Sequence, residues 1–309
     1  MNITILKKII KAGTKFVFNP RYRFLVLADM GLYNNVSDGE YLKRRYDAFM
    51  RKKLNLEEPC TFNEKMQWLK LYDRKSIYTL LVDKVKVKDY VADKIGSEYV
   101  IPTLGVWDKP EDIQFEKLPK RFVLKCNHNS GLGMYICNDR TLINEKRVKR
   151  NLRKGLKQDY YLSSREWPYK DVPRKIIAEE NIAIGTEELK DYKFMCFNGR
   201  VKCSFVCSDR FSGDGLKVTF FDREWNVMPF ERCYPKSNVQ IAKPNNYDKM
   251  IELAEKLAKD IPFVRVDFYD LDDRIYFGEL TFYPGSGFEE FRPEKWDWEL
   301  GSWINLPNK

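Results

Sequence analysis

Apolar residues follow two rhythms along the 309-residue chain. Up to about residue 96 they recur every three or four positions, the period of a helix with one buried face. Beyond it they mostly alternate, the period of half-buried strands. The helical rhythm predicts helices over 38–58 and 62–74. Thr61 opens the second as N-cap, with Glu64 placed to return a hydrogen bond to the cap. A third helix is predicted over 76–94, stopped by Gly96. Residues 99–107 read as a strand whose Pro102 belongs at a sheet edge or strand start, since proline donates no hydrogen bond. Residues 121–137 read as strand, small-residue loop and strand, 144–157 as a helix, and 175–182 as a strand. Asn198-Gly199, a favoured two-residue turn, joins strands over 191–197 and 200–210. A second hairpin is predicted over 216–229. An amphipathic helix over 247–260, ended by Pro262, leads into a third hairpin over 264–287.

That last hairpin carries charge where burial is expected. Arg265, Asp267 and Glu279 sit among apolar neighbours, and an unpaired charge there is costly. Arg265 and Asp267, two apart, share a face, and a turn near Asp273 returns Glu279 beside Asp267. Two close carboxylates repel unless a cation lies between them. Oxygen ligands beside an arginine suit Mg²⁺ bound together with phosphates. The competing reading is a structural salt bridge.

Composition narrows the classes. Hydrophobic residues make up 43% of the chain, enough for a folded core, and no apolar run is long enough to span a bilayer. The start of the chain lacks the apolar core and cleavage site of a secretory signal. The seven cysteines show no metal-ligand spacing, which suits reduced thiols in a cytoplasmic protein. A net charge of +10 calls for an anionic partner, without choosing among nucleotide phosphates, acidic polysaccharide and anionic membrane. No zinc-finger spacing or RNP-type motif is present, so nucleic acid is not expected. Residues 3–17 place Ile3, Leu6, Ile10 and Val17 in one half of a helical wheel and Lys7, Lys8, Lys11 and Lys15 in the other. Such a helix over residues 1–18 either lies on the inner face of an anionic membrane or packs on its own domain with the lysines in water.

The loop in 121–137, Asn127-His-Asn-Ser-Gly-Leu-Gly133, can bring several backbone N–H groups to a phosphate, and Lys125 can add a point charge. It is neither a Walker A loop nor a Rossmann fingerprint, since a strand follows it; a plain glycine hairpin is the alternative. His128 is the only histidine, and no nucleophile elbow accompanies it, which argues against Ser-His-Asp chemistry.

Over roughly residues 80–290 the order of these pieces resembles the ATP-grasp enzymes. Four phrases are similar to the teichuronopeptide-biosynthesis, or TupA-like, type of bacterial surface-polysaccharide clusters. They are Phe62-Asn-Glu-Lys-Met-Gln-Trp-Leu-Lys70, Lys125-Cys-Asn-His-Asn-Ser-Gly131, Asp191-Tyr-Lys-Phe-Met-Cys-Phe-Asn-Gly199 and Gly278-Glu-Leu-Thr-Phe-Tyr-Pro-Gly-Ser-Gly287. The resemblance implies an α+β ATP-grasp fold, in which two α+β subdomains clasp the nucleotide, with a mostly helical N-terminal region. It divides the chain into a helical region 1–75, a linking helix and lead-in strand 76–120, a lid subdomain 121–185 and a catalytic subdomain 186–309. It also implies ATP and Mg²⁺ as cofactors. Lys84 and Lys125 would reach the phosphates, under a closing loop containing Asn129, Ser130, Gly131 and Gly133. Glu179, Glu180 and Ile182 would receive adenine and ribose, with Asp191 at the nucleotide's edge. Lys193 and Arg265 would be the catalytic cations, and Asp267, Glu279 and Thr281 the metal ligands. Thr281 departs from the usual pattern, standing where an asparagine is expected.

The implied reaction joins a carboxylate to an amine through an acyl phosphate, attaching an amino acid to a uronic-acid-type carboxylate of a bacterial surface polysaccharide or its lipid-linked precursor. The rival is a metal-dependent nucleotide-sugar glycosyltransferase, for which Asp270-Leu-Asp272 could hold a metal and a diphosphate. Those aspartates equally suit the polar turn of a hairpin.

Overall fold

The structure, a computed structural model, describes residues 13–183, 189–208, 215–271 and 274–308. After a helical stretch at 13–18 come three helices, α1 (Pro20–Asp29), α2 (Asp38–Met50) and α3 (Phe62–Tyr72). The α3 capping box forms as expected, with Thr61 Oγ1 accepting the Glu64 N–H and Glu64 Oε2 accepting the Thr61 N–H. Helix α2 stops earlier than the pattern predicts, because Arg51 turns into the left-handed region (φ 57°).

The helix predicted over 76–94 is two: α4 (Ile77–Val82) and α5 (Val87–Ile95), the latter ended at Gly96. Asp83 breaks it. Its buried carboxylate accepts the Val85 N–H (2.9 Å) and the Asn127 Nδ2–H (2.8 Å), and such local bonding competes with the helical ladder. The break turns Lys84 toward the glycine loop, where its Nζ donates to the Asn129 carbonyl at 2.6 Å.

Two antiparallel sheets follow. The smaller runs β1 (Thr103–Trp107), β4 (Ile176–Glu180), β2 (Phe122–Cys126), β3 (Tyr135–Cys137) in spatial order, so the strand after Pro102 is an edge strand, as its proline predicts, and shares a sheet with the strands flanking the glycine loop. Helix α6 (Glu145–Lys157) packs Val148 and Leu152 with Phe122, Leu124 and Ile176 in that sheet's core. A short helix, α7 (Tyr160–Ser164), leads from it toward β4. The larger sheet runs β10 (Arg274–Thr281), β9 (Phe263–Leu271), β5 (Asp191–Phe197), β6 (Arg200–Ser208), β7 (Lys217–Phe221). Asn198 and Gly199 both take positive φ (49° and 79°) in the β5–β6 turn, which matches the twist of a tight hairpin. The hairpin expected over 216–229 yields one strand, and Val227 returns to Phe221 only as an isolated bridge. Helix α8 (Tyr247–Leu257) covers the larger sheet, the pair β8 (Glu231–Arg232) and β11 (Phe291–Arg292) lies beside it, and α9 (Lys295–Ser302) follows.

The N-terminal helices are part of this body. Phe62 of α3 meets Phe197 and Phe263 edge-on or tilted, at 6.3 and 5.0 Å between ring centroids. Gln67 and the fully buried Lys70 donate to the carbonyls of Ser286 and Gly287, holding a loop whose residues 285–287 all have positive φ. Residues 13–18 are helical, with Val17 and Phe18 exposed; residues 1–12 lie outside those described, so most of the proposed basic amphipathic segment does too. Among the described residues no helix is long and apolar enough to cross a membrane.

One glycine contact ties α6 to the loop. A Cβ on Gly155 would lie 2.6 Å from Cys126 Sγ and 2.7 Å from the Gly133 Cα. Helix propensity alone favours alanine over glycine by about 1 kcal/mol. Here the contact is with backbone, which cannot swing away, and overpacking of this kind costs about 1–3 kcal/mol. Gly155→Ala is therefore expected to lower stability in urea titrations; a stabilised variant would show that the contact relaxes freely.

Candidate active site

The site is assembled by strand register. Asp267 on β9 faces Glu279 on β10 and Lys193 on β5, while Arg265 faces Thr281. A bulge at Gly278 shifts the β9–β10 pairing just before Glu279, so the carboxylate meets Asp267 across the hairpin. Arg265 then bridges the pair. Its Nε donates to Asp267 Oδ1 at 2.6 Å, and its Nη2 to Asp267 Oδ2 and Glu279 Oε1, both at 2.7 Å. Lys193 Nζ lies 2.6 Å from both Asp267 Oδ2 and Asp191 Oδ2. Thr281 Oγ1 donates to Glu279 Oε1 at 3.0 Å, so the hydroxyl that replaces the expected amide orients the second carboxylate.

Electrostatics keep Glu279, Arg265 and Lys193 ionised. Burial works against the charge on Glu279, but Arg265, Lys84 and Lys193 outweigh it and hold its pKa down to about 2. For Arg265 and Lys193, too, burial is opposed by neighbouring carboxylates, Asp267 foremost, and their pKa values rise. Glu279 retains 41% side-chain exposure, whereas Asp267 retains 4% and Arg265 11%. Glu279 is thus the member of the cluster that opens to the cleft.

The opposite wall comes from the smaller sheet and from α5. Glu179 on β4 is buried between two cations, with Lys125 Nζ at 2.5 Å and Lys88 Nζ at 2.7 Å. Burial opposes its ionisation, but those lysines prevail and lower its pKa. Burial depresses the pKa of Lys84 and of Lys88. Lys84, Lys88, Lys125, Glu179, Tyr169 and Glu279 line one partly open cavity, which brings three lysines of one wall and a carboxylate of the other to a single space.

Some sequence candidates lie elsewhere. Glu180 follows Glu179 on the strand, points to the opposite face and is exposed, while its N–H donates to the Pro102 carbonyl. Ile182 lies beyond the end of β4 and outside the cavity lining. Ser130 and Gly131 are exposed at the loop tip; Asn129 is buried and uses its side-chain amide on Gly155 O and Gln158 Oε1. Gly133 is packed against Gly155. Asp270 of the rival Asp-x-Asp accepts a hydrogen bond from Asn246 Nδ2 at 2.8 Å, and Asp272 lies outside the described residues. Three residues of the site escaped the sequence reading. Lys88 carried no local signal, because its partner Glu179 comes from β4 and Lys84 lies outside helix α5. Asn127, which ties Asp83 to the Pro173 carbonyl, and Tyr169 carried none either.

Two sheets closing on one cavity, lysines on one jaw and carboxylates on the other, form the architecture of the ATP-grasp enzymes. The chain belongs to the TupA-like ATP-grasp family: the profile described as TupA-like ATPgrasp matches residues 64–305. No curated protein matches it. Among solved structures it is similar to the D-alanine–D-alanine ligase of Bacillus anthracis complexed with ATP, at 13% identity over 65% of this chain and 53% of that one, TM-score 0.39. The D-alanine–D-alanine ligase of Helicobacter pylori shows 14% identity over 79% and 69%, TM-score 0.43. D-cycloserine synthetase DcsG shows 15% over 73% and 70%, TM-score 0.40. The chain spans about half the length (53%) of the first of these.

Glu279 titrates near 4.5 without the fold and at about 2 within it. Its ionic contacts therefore stabilise the protein above pH 4.5 and are lost as pH falls from 4.5 toward 2. Solvent reaches this side chain, so the effect is modest. Calorimetric melting temperatures across that window should fall less steeply for Glu279→Gln than for wild type; parallel curves would contradict the assignment.

Proposed function

We propose that this chain is an ATP- and Mg²⁺-dependent carboxylate–amine ligase, attaching an amino acid to a uronic-acid-type carboxylate of a bacterial surface polysaccharide or its lipid-linked precursor. The observation that carries the reading is the shared cavity, where Lys84, Lys88 and Lys125 face Glu279 with Arg265, Asp267 and Lys193 beside it. The donor set fits Mg²⁺. Two carboxylates and a hydroxyl are what this ion takes from a protein when phosphates and water complete its octahedron. Asp267 and Glu279 would hold it, with Thr281 behind Glu279. When bound, it would neutralise charge on the β- and γ-phosphates.

The chain's own groups do the rest. Lys84 and Lys125 bind phosphate oxygens, and the loop 127–133 closes over them. A carboxylate oxygen of the acceptor attacks the γ-phosphorus and ADP leaves, giving an acyl phosphate. Arg265 and Lys193 offset the charge on the transferring group. The amine then attacks the acyl carbon, loses a proton and expels inorganic phosphate, forming the amide. No side-chain nucleophile is required, in keeping with a single histidine. Exclusion of water by the closed loop protects the acyl phosphate. Glu179 with its two lysines is the proposed contact for ribose, and the backbone groups of Asn181 and Ile182 are the proposed contacts for adenine.

Use of ATP places the reaction on the cytoplasmic side. Val17, Phe18, Met30 and Leu32, all more than half exposed and flanking helix α1, support peripheral contact of the N-terminal region with an anionic membrane. Mg-ATP is expected to raise the melting temperature of wild type, to have no effect on Lys125→Ala, and to act weakly on Glu279→Gln. Arg265→Met should lower acceptor-dependent ADP release by about 10²–10³-fold. Absence of stabilisation by any purine nucleotide would overturn the proposal.

A further inference from the structure

Helix α6 carries seven cations and one acid, Glu145, and its cations are not used alike. Arg153 pairs with Glu111, and Lys149 lies 5.5 Å over the Phe115 ring. Arg147, Arg150 and Lys154 have no ion-pair partner among the described residues, and all three line one groove of about 580 Å³ between α6 and the start of β3. Positions 147, 150 and 154 follow helical i, i+3, i+7 spacing, so the three form a row about 10 Å long. Tyr135 and Met134 supply apolar surface on the other wall, and Leu142, 83% exposed, stands at the rim. A concave cleft with a row of unpaired cations facing an aromatic wall is complementary to a carboxylate-bearing sugar chain: the cations meet the carboxylates, and the apolar faces of the rings lie on Tyr135. A lipid surface, being planar, would instead call for cations and apolar groups on a convex face.

The groove is joined to the nucleotide loop from behind. Asn129 Nδ2 donates to Gly155 O (3.2 Å) and Gln158 Oε1 (3.0 Å), and Asn151 Nδ2 donates to Met134 O (3.0 Å). Gly133 and Gly155 touch backbone to backbone. A ligand that fixes α6 against β3 therefore also fixes the loop between β2 and β3.

We propose that this groove is a second binding site, for an acidic oligosaccharide, and that its occupancy tightens nucleotide binding by holding the glycine loop. The ligand class deepens the acceptor reading above, while the site itself rests on the groove. The probe is fluorescently labelled oligogalacturonate, followed by polarisation on the full chain without nucleotide. Neutral dextran oligomers of matched length and anionic phosphatidylglycerol vesicles serve as the other ligands. Arg147→Glu with Arg150→Glu is expected to weaken oligogalacturonate binding by about tenfold or more. Lys202→Glu with Lys236→Glu, which makes the same change in net charge at two exposed positions elsewhere, should leave it within about twofold. Saturating oligogalacturonate should tighten Mg-ADP binding in wild type but not in the groove variant, since coupling between sites is reciprocal. Equal losses in both variants, no loss in the groove variant, or Arg147- and Arg150-dependent binding of vesicles but not of oligogalacturonate would each overturn the proposal. ATP-dependent ligation with unchanged oligogalacturonate binding in the groove variant would sink the groove and leave the ligase reading standing.

Discussion

The constraint on which the rest depends is the meeting of Asp267 and Glu279 across the β9–β10 hairpin. Two carboxylates held face to face in a largely buried sheet destabilise it unless cations stand between them. Arg265 bridges both, and Lys193 arrives from β5 because that strand is the neighbour of β9. The strand order, the bulge at Gly278 and the two cations therefore form one arrangement. Removing a single partner would leave a charge uncompensated. Glu279 alone keeps substantial contact with solvent, which gives the cluster an opening toward the opposite jaw.

That jaw solves the same problem with the signs reversed. Three lysines converge on the cavity, and Glu179 keeps two of them in place. Lys84 gets there because Asp83 interrupts the helix and fastens it to Asn127. On the far side, Gln67 and Lys70 grip the carbonyls of the left-handed loop 285–287 that follows β10. Together with the Ser286 Oγ–Glu166 hydrogen bond and the Ser286 N–H to Tyr283 carbonyl bond, they hold three positive-φ residues in place. The N-terminal helices are thus structural support for the site. Arg165, 1% exposed, adds a further tie by donating to the Tyr33 and Asn34 carbonyls.

Legibility from sequence followed the range of the interactions. The α3 capping box, the Asn198-Gly199 turn, the edge position of the strand after Pro102 and the pairing of Asp267 with Glu279 are local or set by period-two register, and each was readable. The break at Asp83 was not, because the carboxylate that accepts the Val85 N–H is also fixed by Asn127, 44 positions away. Lys88 was unreadable for the same reason: its partner Glu179 is brought by β4, not by its own helix. Glu179 and Glu180 could not be told apart by residue type. The strand's alternation, once its register is known, buries the first and exposes the second. The role of Thr281 toward Glu279 likewise follows from the two-residue spacing on β10.

The central claim is that the cluster on β9 and β10 drives transfer of a phosphoryl group to a carboxylate. Its most direct measurement uses a uronic-acid acceptor labelled with ¹⁸O in the carboxylate, incubated with the protein, Mg-ATP and a mixture of amino acids. Passage through an acyl phosphate predicts one ¹⁸O atom in each inorganic phosphate released with amide formation, and none with Glu279→Gln. Amide formed with all released phosphate unlabelled would contradict it.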